Sequence, residues 1–161
     1  MIKRLFISKL SKKANSLTEE ISYDRAHTVG ILCIHEFEDQ MNRIALEFSN
    51  EGKRPRLVSF VENPIKGKIY SNQSYTSKDF SVTGTIISGE LSFFTKQIYD
   101  FLICIDPTGN SYIKYLLSKT QARHRIGLYH PNFENQLDMM IKPGSEDAVG
   151  ELMRYVKMIK K

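Results

Sequence analysis

The runs HTVGILCI at residues 27–34 and DFLICID at residues 100–106 constrain the fold more than any other feature of the chain. Each is strand-length and apolar, and neither shows the apolar–polar alternation of a strand with one wet face. A segment of that kind needs cover on both sides, which is the environment of a central strand in a parallel sheet with helices on each face. Parallel neighbours also need a crossover between them. Phe37, Met41, Ile44, Ala45 and Phe48 recur at helical spacing and stop near Asn50 and Gly52, a suitable helix end. RLVSFV, residues 56–61, follows as a second strand and completes a right-handed βαβ unit.

The same alternation of strand and helix continues to the C-terminus. Between Glu62 and Gly89 the chain is rich in Asn, Ser, Gly and Thr, which predicts loops with one or two short edge strands. Leu91, Phe94, Ile98 and Tyr99 place a helix before DFLICID, and residues 111–119 form another. RIGLY at residues 125–129 and LDMMI at residues 137–141 read as the last strands. A closing helix runs from Ser145 to about Ile159, with Ser145 as its cap and Glu146 and Asp147 at its positive end. The expected fold is α/β: a three-layer, doubly wound, mostly parallel sheet of Rossmann-like type over residues 26–161.

Residues 1–25 read as an appended basic amphipathic helix and connector. Ile2, Leu5, Phe6, Leu10, Leu17 and Ile21 fall at helical spacings, leaving Lys3, Arg4, Lys9, Lys12 and Lys13 chiefly on the other side. Those lysines interrupt the apolar residues, so the segment lacks the continuous core of a secretory signal. A second basic cluster, Arg154, Lys157, Lys160 and Lys161, sits at the other end, and the chain carries a formal net charge of +5. Such an excess favours association with an anionic partner: RNA, a ribonucleoprotein, an acidic protein or a membrane surface. With 41% hydrophobic residues among 161, the composition is that of one soluble domain with a real core. No run is long enough to span a bilayer. Cys33 and Cys104 each lie inside an apolar run and read as small core hydrophobes of a reducing, cytoplasmic compartment. The leading expectation is a non-enzymatic binding or adaptor protein.

A second expectation concerns the crevice of a doubly wound sheet, which opens where the strand order reverses. The ends of the two dry strands deliver His35, Glu36, Asp106, Thr108, Gly109 and Asn110 to that place. His35 and Asp106 are the best acid–base pair in the chain. The turn PTGN, residues 107–110, can present backbone N–H groups to a phosphate or carboxylate. Arg123 and Arg125, with His124 and His130 nearby, form a further cluster able to grip phosphate. This reading is of a small enzyme or binder of sugar or nucleotide phosphates. Neither a GxGxxG fingerprint nor a Walker lysine follows the first strand, the histidines lack metal-ligand spacing, and no cofactor is implied.

DFLICIDPTGN, followed by a helix and QARHRIGLY, resembles a segment of the acceptor-side Rossmann domain of lipopolysaccharide heptosyltransferases. Those enzymes also carry a second, nucleotide-sugar domain and a Gly-Asp turn soon after the first strand. The matching place here reads HEFEDQM, so the resemblance implies a shared half-domain fold and not glycosyl transfer. Over nearly its whole length the chain resembles a family of small uncharacterised Bacteroidota proteins. The features carrying that likeness are the basic leader, TVGIL, the triplet Lys78, Asp79, Phe80, the strand at residues 99–103 and RIGL. The resemblance implies fold and cytoplasmic location, and no catalytic residue.

Overall fold

The computed structural model describes Ile7, residues 20–142 and residues 147–160. Its strands are β1 (Thr28–Ile34), β2 (Arg54–Phe60), β3 (Ser74–Tyr75), β4 (Ile98–Ile105), β5 (Gln121–Leu128) and β6 (Met139–Ile141). Four helices connect or follow them: α1 (Glu38–Asn50), α2 (Gly89–Lys96), α3 (Ser111–Lys119) and α4 (Ala148–Lys157). The strands form one sheet in the order β3-β2-β1-β4-β5-β6, and every pairing is parallel. This is the doubly wound arrangement, with the reversal of order between β1 and β4.

The two dry runs occupy the middle of that sheet. Val29, Ile31 and Cys33 of β1, with Phe101, Ile103 and Ile105 of β4, join the cluster under α1 and α4. Leu32, Ile34, Leu102 and Cys104 point the other way, into the cluster under α2 and α3. Alternate residues thus enter two different cores, which is why neither run alternates in polarity. Gly30 lets the second layer come close: a Cβ there would lie 2.9 Å from Leu102 Cδ1 and 3.2 Å from the Phe94 and Tyr99 rings. Ile7 is helical and fully buried in the α2–α3 cluster. Ile21, expected on the apolar stripe of the leader helix, is not helical, and the rest of that helix, including Lys3, Arg4, Lys9, Lys12 and Lys13, lies outside the described residues.

Several element boundaries differ from the sequence reading. Ile98 and Tyr99 belong to β4, because α2 stops at Lys96 and the buried Tyr99 hydroxyl donates to the Phe94 carbonyl at 2.9 Å. Their spacing from Leu91 and Phe94 mimics a helical face. β5 starts at Gln121, four residues earlier than RIGLY, since its polar first half finds partners inside the fold. β2 starts at Arg54 and so contains Pro55. The cap of α4 is Asp147, whose carboxylate accepts from Gly150 N at 3.0 Å, while Ser145 and Glu146 lie outside the described residues.

Both cysteines are free and fully buried. Burial, with Glu38, Asp106 and Glu36 adding to it, pushes the Cys33 thiol up to about 12, and burial lifts Cys104 well above its ordinary value. Since the thiolate is the nucleophile, folded protein at pH 8 is expected to leave both unreacted with a thiol-specific disulfide reagent, and unfolded protein to titrate both. Rapid reaction of either thiol in the native state would contradict this burial.

Candidate functional site

β1 and β4 lie side by side with Ile31 opposite Ile103, so their C-terminal ends open one crevice at the reversal point. The cavity there measures about 340 Å³. Ile34, Phe37 and Phe60 form its apolar floor, Pro107 and Thr108 one wall, and the carboxylates of Glu36 and Glu62 its rim. No described lysine or arginine lines it. A phosphate entering this space would meet acidic side chains and apolar rings.

The loop after β4 has an anion of its own. Asp106 is completely buried; its Oδ1 accepts from Thr108 N at 2.8 Å and Thr108 Oγ1 at 2.5 Å, and its Oδ2 from Asn110 N at 2.8 Å. Asn110 in turn caps α3, its Oδ1 accepting from Tyr112 N at 2.9 Å and Ile113 N at 3.2 Å. Four N–H groups at this helix start, those of Thr108, Asn110, Tyr112 and Ile113, are therefore already bonded to side chains of the loop. Gly109 holds the loop shape with φ +69°, and a Cβ there would come within 2.2 Å of the His130 ring. His130 Nδ1 accepts from Asn132 N at 3.0 Å, and Asn132 Nδ2 donates to the Gly109 carbonyl at 3.0 Å, locking the two strand-end loops together.

His35 pairs with Glu38 and makes no contact with Asp106. Its Nδ1 lies 3.0 Å from Glu38 Oε2, and because a carboxylate only accepts, that nitrogen carries the hydrogen. The ring is also held edge-on by Tyr70, centroid to centroid 5.1 Å. Glu38 is the hub: Ser71 Oγ donates to Oε1 at 2.6 Å and Ser74 Oγ to Oε2 at 3.3 Å. Burial raises the Glu38 carboxyl, but these hydroxyls, the neighbouring Ser59 and His35 outweigh it and leave the pKa below its ordinary value. A carboxylate-oriented imidazole is a general-base arrangement in outline. Here the nearby hydroxyls of Ser71 and Ser74 are turned to Glu38 and not to His35. Among the described residues no group of three or more metal-capable side chains occurs.

The basic cluster of β5 lies at the opposite, N-terminal end of the sheet. Arg123 Nε donates to Asp100 Oδ1 at 3.1 Å, while Asp100 Oδ2 accepts from His27 N at 2.7 Å and Thr28 N at 3.1 Å. Burial raises Asp100, and these donors more than compensate, holding its pKa below the usual value. His124 stacks on Phe101 and donates to the Ile21 carbonyl at 2.9 Å. Arg125 is buried, its guanidinium donating to the carbonyls of Leu117, at 2.6 Å, and Thr120. It caps the end of α3 where the helix leaves its carbonyls unpaired. Of the residues expected at the crevice, the structure brings together Asp106, Thr108, Gly109 and Asn110, has Glu36 line the same cavity as Thr108, and holds His35 in a separate network with Glu38; Arg123 and Arg125, expected as a further phosphate-gripping cluster, are engaged on β5 by other groups of the fold.

The residues the sequence reading missed are Glu38, Ser71, Ser74 and Tyr70. Glu38 was detectable, since His and Glu three apart at a helix start share one face. The other three arrive from the irregular middle, where no periodicity announces a partner.

A family model described as a family of unknown function, DUF6913, matches residues 1–159. The chain belongs to this family. No curated protein and no solved structure matches it. What a member of DUF6913 does must therefore be argued from this fold and these side chains.

Two outcomes are expected. Glu38→Gln should destabilise the fold by about 1–3 kcal/mol at pH 7, because the hydrogen bonds that Glu38 accepts lose their charge assistance. A lowered carboxyl pKa contributes stability above the unfolded value near 4.5 and loses it as pH falls through the folded value. The gap between wild type and variant in urea melts should thus be widest near pH 7 and close below pH 4.5; a constant gap would refute the assignment. Gly109→Ala combines a left-handed φ with a clash against His130 and should cost about 1–3 kcal/mol, read as a lowered Tm. An unchanged Tm would show that the loop relaxes freely.

Proposed function

We propose that this chain is a non-enzymatic, cytoplasmic binding or adaptor protein that engages an anionic partner through its basic terminal segments. The observation that carries the reading is the state of the crevice. Four of its loop N–H donors are bonded to Asp106 and Asn110, Glu36 and Glu62 are among its lining residues, and Arg123 and Arg125 are engaged on β5 by Asp100 and by the carbonyls at the end of α3. The sugar- or nucleotide-phosphate reading draws no support from that geometry.

The net positive charge is then the property left to act. Within the C-terminal cluster, Lys157 is paired with Glu47 and lies 3.8 Å from Glu51, while Arg154 is 3.9 Å from Glu151. That neutralisation shifts the weight of the proposal to Lys3, Arg4, Lys9, Lys12 and Lys13. No described helix is long and apolar enough to cross a membrane.

Deleting the leader is a poor test, because Ile7 is buried in the core and losing such a side chain costs about 2–5 kcal/mol. Substitution to Gln at Lys3, Arg4, Lys9, Lys12 and Lys13 removes the charge and keeps Ile7. The control replaces the exposed Lys66, Lys68, Lys78, Lys96 and Lys142 in the same way. On a heparin column the wild type should be retained, and the leader variant should elute at clearly lower salt than the control variant. Equal elution of the two variants, or passage of the wild type without retention, would defeat the proposal.

A further inference from the structure

The sheet has an unfinished edge. β3 contributes two residues only and pairs with Ser59 and Phe60, so residues 54–58 of β2 have no neighbouring strand on that side among the described residues. Arg54 N donates to the His27 carbonyl on the β1 side, whereas Ser59 N and Val61 N donate to Gln73 and Tyr75 on the β3 side. Strand alternation therefore turns the N–H and C=O of Leu57 and the C=O of Pro55 toward the open side. Pro55 has no N–H to leave unpaired there, a common way to blunt an edge. Leu57 has one.

A groove of about 560 Å³ runs along this edge between β2 and the start of α2. Phe93 lines it and is 50% exposed, with the Arg56 guanidinium 4.9 Å from its ring centroid, and Glu90, at the start of α2, lines it as well, its carboxylate accepting from the Tyr75 hydroxyl at 3.5 Å. Neither Arg54 nor Arg56 makes an ion pair with a described residue. Both lie on the α2 side of the strand, two residues apart, so an added strand would place its own alternate side chains against them. Open backbone groups of β2, a half-exposed aromatic ring and two guanidinium groups with no ion pair to a described residue thus sit along one short line.

We propose that residues 54–58 of β2 dock an extended acidic segment of a partner protein as an added strand, with its backbone on Leu57 and alternate carboxylates against Arg54 and Arg56. The inference rests on the reading of this chain as a binder of anionic partners and names a protein segment as one such partner. A second copy of the chain is the poorer occupant, because edge-to-edge pairing about a two-fold axis sets Arg54 and Arg56 against their own copies. A nucleic acid would satisfy the arginines and leave the Leu57 backbone unmatched.

The test uses the full chain and a fluorescein-labelled octapeptide of alternating Glu and Val, with an octapeptide of alternating Lys and Val as control. Anisotropy should show saturable binding of the acidic peptide alone. The double variant R54E/R56E should weaken it by about tenfold or more while Tm stays near that of wild type. F93A, at a half-exposed position, should weaken it several-fold, by about twofold to tenfold. Saturating peptide should slow amide hydrogen exchange at Leu57. Absence of saturable binding, equal binding of the lysine peptide, or unaltered exchange at Leu57 would each overturn the proposal. So would a dimer in sedimentation that R54E/R56E dissociates, or displacement of the peptide by single-stranded RNA acting through the same arginines. Heparin retention through the leader, with no peptide binding, would sink the edge proposal and leave the broader reading standing; the reverse pattern would do the opposite.

Discussion

Everything in this structure depends on two apolar strands, β1 and β4, pairing in parallel with Ile31 beside Ile103. Each sends alternate side chains into two separate cores, so each needs helices on both faces, and only a crossover topology provides them. The pairing also decides where the chain changes direction across the sheet. Strands added after β1 run outward on one side and those after β4 on the other, so a crevice at their shared end is a topological consequence.

The loop at that crevice carries an anion of its own. The usual use of the place is to leave helix N–H groups free for a phosphate. Here Asp106 supplies a negative charge internally, bonded to Thr108 N and Asn110 N, and Asn110 takes the N–H groups of Tyr112 and Ile113. Glu36 and Glu62 add acidic character at the mouth. Among the described residues, Arg54 and Arg56 stand on the free edge of β2, and Arg123 and Arg125 at the foot of β5. In that last place the charge serves the fold: Arg123 bonds Asp100, and Arg125 caps α3.

The order of elements and the parallel class were readable from residues, because burial on two faces leaves a direct mark on composition. Boundaries were readable where a stop signal stood, as at Gly52, or where an apolar run was well delimited, as at residues 28–34 and 111–119, and failed where one spacing suits two structures. Ile98 and Tyr99 lie in helical register with Leu91 but pair as strand with Gln121 and Ala122. Site residues fared less evenly. Asp106, Thr108, Gly109 and Asn110 are contiguous and share a strand end, so their meeting was local. Arg123 and Arg125 looked like a surface cluster because sequence carries no sign of Asp100 or of the carbonyls of Leu117 and Thr120.

By itself, then, the chain's own pattern of apolar residues determined the sheet, its layers and the position of the crevice, since hydrophobic periodicity is a one-dimensional record of which faces are dry. Tertiary structure alone decided which partner each polar group takes. His35 turned to Glu38, Asp106 closed on its own loop, Arg125 went to a helix end, and β3 stopped after two residues, leaving Leu57 bare. Hydrogen bonds and ion pairs act over a few ångströms between groups far apart in sequence, and such distances exist only once the chain is folded.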